Sequence, residues 1–419
     1  MKRLNALTSI AAAVGLALTG TASAGIFPQC PDGATPIPPK FNTRGSIDTT
    51  ALPADAKVCG HLAAGDGWAL RADGGRHYTF GFSNVTGVPN EDVVSKGLFN
   101  AKWSAPTLAF REGQQVYLAL SNVGLLLRPD LFDPHSIHFH GFPQAAPVYD
   151  GVPDASAVVN AGSTFTYFYK VNDPGTYIYH CHVESSEHMQ MGMLGTLYVK
   201  PKQDTVPAGT VLGSFVHTAN TRYAYNDGDG STRYDIDFPV QLGGFDGPFH
   251  DLHEAVQPLP FHEMRSTHTF INGRGYPDTV VAGALPAVQV DEADPGSVLA
   301  ESSQVVSGLI QATAGQRILL RMSNTSVAEY FTVTVLGLPM RLVGQGAAIA
   351  RARNEAGVVG LDWAHDVGSL TLGGGESVDV VIDTTGVQQG TYFLYTTNLN
   401  YLSNGSEDRG GIMTHIVIN

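Results

Sequence analysis

The chain has 419 residues, 15% of them charged, and carries a formal charge of −14. That acidity argues against nucleic acid or an anionic membrane as partner, because both need basic surface. The length exceeds one ordinary core and points to at least two domains.

Met1-Lys2-Arg3 is basic, residues 7–20 are apolar or small, and Ala22-Ser23-Ala24 supplies a small-residue cleavage signal. Residues 1–24 therefore read as a secretory signal peptide, with an apolar run too short to span a bilayer. No later stretch reaches the roughly 18 uninterrupted apolar residues of a spanning helix, so a periplasmic or secreted protein with no membrane partner is expected. Cys30 and Cys59 form a natural pair in an oxidising compartment.

Secondary structure reads as strands throughout. Val116-Tyr-Leu-Ala-Leu120, Thr164-Phe-Thr-Tyr-Phe-Tyr-Lys170, Thr176-Tyr-Ile-Tyr179 and Gly195-Thr-Leu-Tyr-Val199 are short β-branched or aromatic runs between Gly, Pro, Asn and Asp clusters. This is the pattern of an all-β sandwich. Pro201 to Gly209 has linker composition, which divides a first domain, 26–202, from a second, 208–419. The second carries its own strand runs, among them Arg317-Ile-Leu-Leu-Arg-Met322, Phe331-Thr-Val-Thr-Val335 and Ser377-Val-Asp-Val-Val-Ile382.

Chemistry concentrates in the first domain. His135-Ser-Ile-His138-Phe-His140-Gly141 is followed by His180-Cys181-His182-Val-Glu184-Ser-Ser-Glu187-His188-Met-Gln-Met-Gly-Met193. Imidazole, thiolate and thioether together suit copper, and His135, Cys181, His188 and Met193 make the two-histidine, one-cysteine site with an axial methionine. Zinc also takes His and Cys, but methionine is not one of its usual ligands. Alternation along a strand puts His138 and His140 on one face, and His180 and His182 on one face with Cys181 opposite. Two such pairs side by side present four imidazoles to a further metal. Glu184 and Glu187 lie between ligands, where a carboxylate can shuttle protons or steady a ligand imidazole.

These motifs resemble those of the multicopper oxidases, HxxHxHG and HCHxxxH…GM, with two additional residues between His182 and His188. Asp150-Gly-Val-Pro153, Asp173-Pro-Gly-Thr-Tyr-Ile-Tyr-His180 and Phe270-Ile-Asn-Gly-Arg-Gly-Tyr-Pro277 resemble that family as well. The resemblance implies two tandem cupredoxin-like Greek-key sandwiches. It further implies a type 1 copper at His135, Cys181, His188 and Met193, and type 2/type 3 copper ligation at His138, His140, His180 and His182.

The second domain departs from the pattern. It has Tyr330-Phe-Thr332-Val-Thr334-Val and Gly390-Thr-Tyr-Phe-Leu-Tyr-Thr396-Thr397-Asn398 where the family would repeat HxH and HCH. In copper nitrite reductases, a related comparison, a second-domain histidine ligand falls near Thr397. The expectation is an exported oxidoreductase that takes electrons from a small molecule, a metal ion or a redox protein, passes them through Cys181, and reduces O2. A mononuclear electron carrier and a non-catalytic copper-binding or copper-tolerance protein are the alternatives. A homotrimer would let a neighbour complete the imidazole site, with His250, His253, His262 and His268 as candidate ligands in a loop otherwise read as surface. Asn226-Asp227-Gly-Asp229-Gly reads as a solvated turn, since it lacks the glutamate of a calcium loop.

Overall fold

A computed structural model describes residues 25–31, 47–142, 145–291, 293–294, 296–353, 359–405 and 407–419. The expected signal peptide lies outside them. Strands dominate, and they are arranged as the sequence pattern requires of an all-β chain. In the N-terminal half these are β1 (Ile47–Asp48), β2 (Lys57–Leu70), β3 (Arg76–Asn84), β4 (Leu108–Arg111), β5 (Gln115–Gly124), β6 (His138–Phe139), β7 (Thr164–Lys170), β8 (Gly175–His180) and β9 (Leu194–Lys200). One sheet runs β1-β4-β9-β8-β6 and the other β3-β2-β5-β7. Side chains that alternate inward from both meet in one buried cluster, including Leu62, Phe80, Phe82, Leu118, Leu120, Tyr167, Tyr179 and Leu197.

The C-terminal half repeats this plan with different residues. Ile236–Phe245, Arg317–Asn324, Met340–Gln345 and Ser377–Asp383 belong to one sheet, and Phe331–Val335, Gly390–Thr396 and Met413–Ile418 to another. In Phe331–Val335 the three apolar residues are buried while Thr332 and Thr334 are half-exposed. Threonine therefore occupies the outward positions of a half-buried strand, consistent with a packing role there.

Cys30 and Cys59 are disulfide-bonded. The Asp227 loop departs from the solvated turn expected of it. Asp227 is 1% exposed, and its carboxylate accepts hydrogen bonds from the Gly230 and Thr232 backbone amides and from Gln203 Nε2. A short polar run looks the same in sequence whether its carboxylate faces water or its own backbone.

The two halves meet through a buried polar network. Asp379 accepts from Thr176 Oγ1 at 2.7 Å and from Tyr225 Oη at 2.5 Å. Arg321, fully buried, lies 3.8 Å from Asp379 and 3.2 Å from Asp237. Ser377 Oγ donates to the Thr176 carbonyl at 2.6 Å, so strand Ser377–Asp383 is fixed to β8. Asp379→Ala should cost about 3 kcal/mol or more, because it withdraws a carboxylate from a buried guanidinium. Urea unfolding followed by circular dichroism measures the loss, and an unchanged midpoint would contradict this account of the interface.

Candidate metal centre

Register brings the histidines together. β6 pairs antiparallel with β8, placing His138 opposite His180 and Phe139 opposite Tyr179, and the His140 amide donates to the Ile178 carbonyl at 2.9 Å. At the end of β8 the Cys181 amide donates to the Met193 carbonyl at 3.0 Å, which closes a loop over the helix Ser185–Met191. Gly192 ends that helix at φ +121, and a Cβ there would sit 2.4 Å from the Trp103 ring. Only glycine fits both the angle and the space.

Cys181 Sγ lies 3.3 Å from His188 Nδ1 and 3.8 Å from His135 Nδ1. The three ligand atoms lie within 4.8 Å of one another, and these residues and Met193 are all at most 1% exposed. The setting favours a cation. Burial works against protonation of His188, yet the Asp133 carboxylate and the Cys181 sulfur outweigh it and push this imidazole up to about 10. His135, with burial as the main cause, is held well below the usual range. A soft thiolate between two imidazoles in a dry pocket fits copper.

The second group has a different logic. His138 Nδ1 meets the Asp150 carbonyl at 2.7 Å, His140 Nδ1 the Gly375 carbonyl at 3.1 Å, and His180 Nδ1 the Cys181 carbonyl at 2.7 Å. A carbonyl only accepts, so each Nδ1 carries the proton and each Nε2 keeps its lone pair. Those lone pairs converge. His140 Nε2 and His180 Nε2 are 2.8 Å apart, and one nitrogen from each of the three rings falls within 4.8 Å of the others. Two lone pairs at that distance repel unless a cation or a shared proton sits between them. His182 stands beside this group, its ring centroid 5.0 Å from that of His138. Burial, the largest effect, pushes His180 down to about 3, which keeps it neutral and able to ligate. The donor set fits a copper held by imidazoles. A cavity of about 300 Å³ lies between the two halves, lined by Gly141, Asp173, Tyr177, Tyr225 and Ala347 and by none of the four imidazoles.

Glu187 is buried and its carboxylate meets His253 Nε2 at 2.8 Å. Glu184 is exposed, in the left-handed backbone region; partial loss of hydration and the neighbouring Asp133 charge raise its carboxyl above the usual range.

The loop histidines depart from their expected surface position. His250 and His253 are fully buried within their own chain, so neither can be lent to a neighbour. His250 sits between the carbonyls of Tyr78, at 2.5 Å, and Gln190, at 2.9 Å. Both histidines belong to the region of the short helix Gly247–Leu252, which thereby grips the helix Ser185–Met191 that carries His188. His262 is exposed, and His268 stacks on Phe245 with centroids 5.0 Å apart. The composition of their segment does not distinguish the gripping pair from the exposed one. Asp133, two residues before His135, was also missed, though that proximity was a readable signal.

His253→Ala should lower stability by about 1–3 kcal/mol, because the buried Glu187 carboxylate loses its donor. Chemical denaturation measures this, and a variant as stable as the parent would show that the contact contributes nothing.

Comparison with known proteins places the chain in a family. One family model described as multicopper oxidase matches residues 84–204, and a second with that description matches residues 249–417. The Mycobacterium tuberculosis protein "Multicopper oxidase MmcO" is 24% identical over 283 residues, which are 67% of this chain and 49% of that protein. "Multicopper oxidase elcG" of Phaeosphaeria nodorum is 31% identical over 130 residues, 30% of this chain and 19% of that one. The matched region thus spans less than half the length of these curated relatives. Among solved structures, the blue copper oxidase from Nitrosomonas europaea aligns with a TM-score of 0.59 and 22% identity, covering 86% of each chain. The copper nitrite reductase from the same organism aligns at 0.52 with 15% identity, covering 87% of this chain and 94% of that one. At these identities the structural likeness speaks to the fold.

Proposed function

The chain belongs to the multicopper oxidase family, and from that premise we propose that it is an exported, copper-dependent oxidoreductase that reduces O2. Electrons would enter from a small-molecule, metal-ion or protein donor at the Cys181 group and leave for O2 at the imidazole group. Bound copper would supply one-electron redox chemistry in both places.

The observation that carries this reading is covalent. Cys181 belongs to the first group, and His180 of the second is its neighbour in the chain. Cys181 is thus a short path between the two sites, and the His180 Nδ1 hydrogen bond to the Cys181 carbonyl adds a second link. Around that path the residues have separable tasks. His135, Cys181, His188 and Met193 would hold the type 1 ion, and His138, His140, His180 and His182 the remaining copper. Tyr167, Tyr179 and Phe139 belong to the buried cluster that also includes Cys181, and they keep water from that side. Glu184, exposed and with a raised pKa, is placed to exchange protons with solvent near His188.

The export reading rests on the N-terminal pattern and is consistent with the Cys30–Cys59 bridge. A homotrimer remains part of the proposal, because among the described residues the second sandwich brings no imidazole within the three-ring group. With His250 and His253 engaged at home, His262 is the exposed candidate from a neighbour.

Copper-loaded full-length protein should bind more than one copper per chain and show an intense visible band. Cys181→Ser should abolish that band and the O2 uptake driven by phenolic or Cu(I) donors, while circular dichroism stays unchanged. One copper per chain with no O2 uptake would instead make the protein an electron carrier.

A further inference from the structure

The second sandwich places a backbone carbonyl, from Gly375, against His140 of the imidazole group. Gly373-Gly374-Gly375-Glu376 forms a tight turn in which the Glu376 amide donates to the Gly373 carbonyl at 3.1 Å. Gly375 holds its third position at φ +85, where a turn of this kind calls for glycine. The turn is anchored on both sides. The Gly375 amide donates to the Asn324 carbonyl at 2.9 Å, the Gly373 amide donates to Glu376 Oε2 at 2.7 Å, and Ser377 is bonded to Thr176 of β8. Its carbonyl oxygen is therefore held in register with the strand that carries His180. A Cβ on Gly375 would lie 2.5 Å from both His140 Cε1 and Nδ1, so no larger residue fits without moving that ring.

We propose that Gly375 is a positioning residue for the imidazole metal site: its carbonyl accepts the His140 Nδ1–H and turns the His140 Nε2 lone pair toward His180. Among the described residues, the second half thus shapes the metal site of its own chain without bringing an imidazole into the three-ring group. This rests on the reading of the four histidines as copper ligands. An imidazole held by a carbonyl at its far nitrogen has a fixed tautomer and ring angle, and losing such a partner commonly weakens metal binding.

The test uses the full-length chain and Gly375→Ala, with Gly386→Ala as control. Gly386 also has positive φ, +76, but nothing lies within 4 Å of its added Cβ, so the control carries the backbone strain without the collision. Copper content after dialysis, the visible band and the electron paramagnetic resonance spectrum are read for each. Gly375→Ala should lose affinity for the copper beyond the Cys181 ion by on the order of 10- to 100-fold, with the intense band retained. Gly386→Ala should match the parent in every readout. A parent with the full complement and a Gly375→Ala variant equal to it would overturn this proposal alone. A parent holding only the Cys181 copper would overturn it together with the functional reading. If Gly375→Ala does not fold, nitrogen NMR of the histidine-labelled, metal-free parent decides. An Nδ1–H tautomer at His140 supports the positioning role, and an Nε2–H tautomer refutes it.

Discussion

The pairing of His138 with His180 across β6 and β8 is the constraint on which the candidate metal centre depends. Strand alternation converts that single register into two consequences at once. It brings His138, His140 and His180 together at the edge of the sheet, and it sends Cys181 to the other side, into the buried cluster with Tyr167 and Tyr179. A slip of one residue would exchange the two faces, leaving a thiol among the imidazoles and a histidine in the apolar core. The register is fixed further along the same strands by the Cys181–Met193 backbone bond and by the antiparallel pairing of β8 with β9.

Burial then decides what these side chains can do. Imidazoles in an apolar setting resist protonation, and the carbonyls at each Nδ1 dictate which nitrogen is left bare. At His188 the balance reverses because Asp133 and Cys181 face it from two sides. The two groups therefore differ in chemistry: one gathers negative charge around a soft ligand, the other gathers neutral lone pairs. Both arrangements suit a cation, by charge in the first group and by converging lone pairs in the second.

Much of this was legible in the sequence because the information is local. Alternating runs mark the strands, and the spacing within His135-x-x-His138-x-His140 and His180-Cys181-His182 sets the faces. The helix Ser185–Met191 was not legible, since seven residues are too few for a 3.6-residue period to register. The roles of His250 and Gly375 were hidden for another reason. His250 meets a carbonyl 172 positions away, at Tyr78, and Gly375 meets an imidazole 235 positions away. Both contacts involve a backbone atom, whose presence is independent of residue type. The segment around His250 reads as a surface loop because its histidine spacings come with no strand or helix pattern, whereas packing between the two halves buries His250 and His253. The threonines at 332 and 334 could be read as lost ligands, but not as the outward face of a strand that packs through Phe331, Val333 and Val335.

Anomalous diffraction at the copper absorption edge, from crystals of the copper-loaded full-length chain, tests the central claim most directly. The account predicts one peak among His135, Cys181 and His188, and a separate peak among the Nε2 atoms of His138, His140 and His180. A single peak at Cys181, with His140 and His180 still in direct contact, would contradict it.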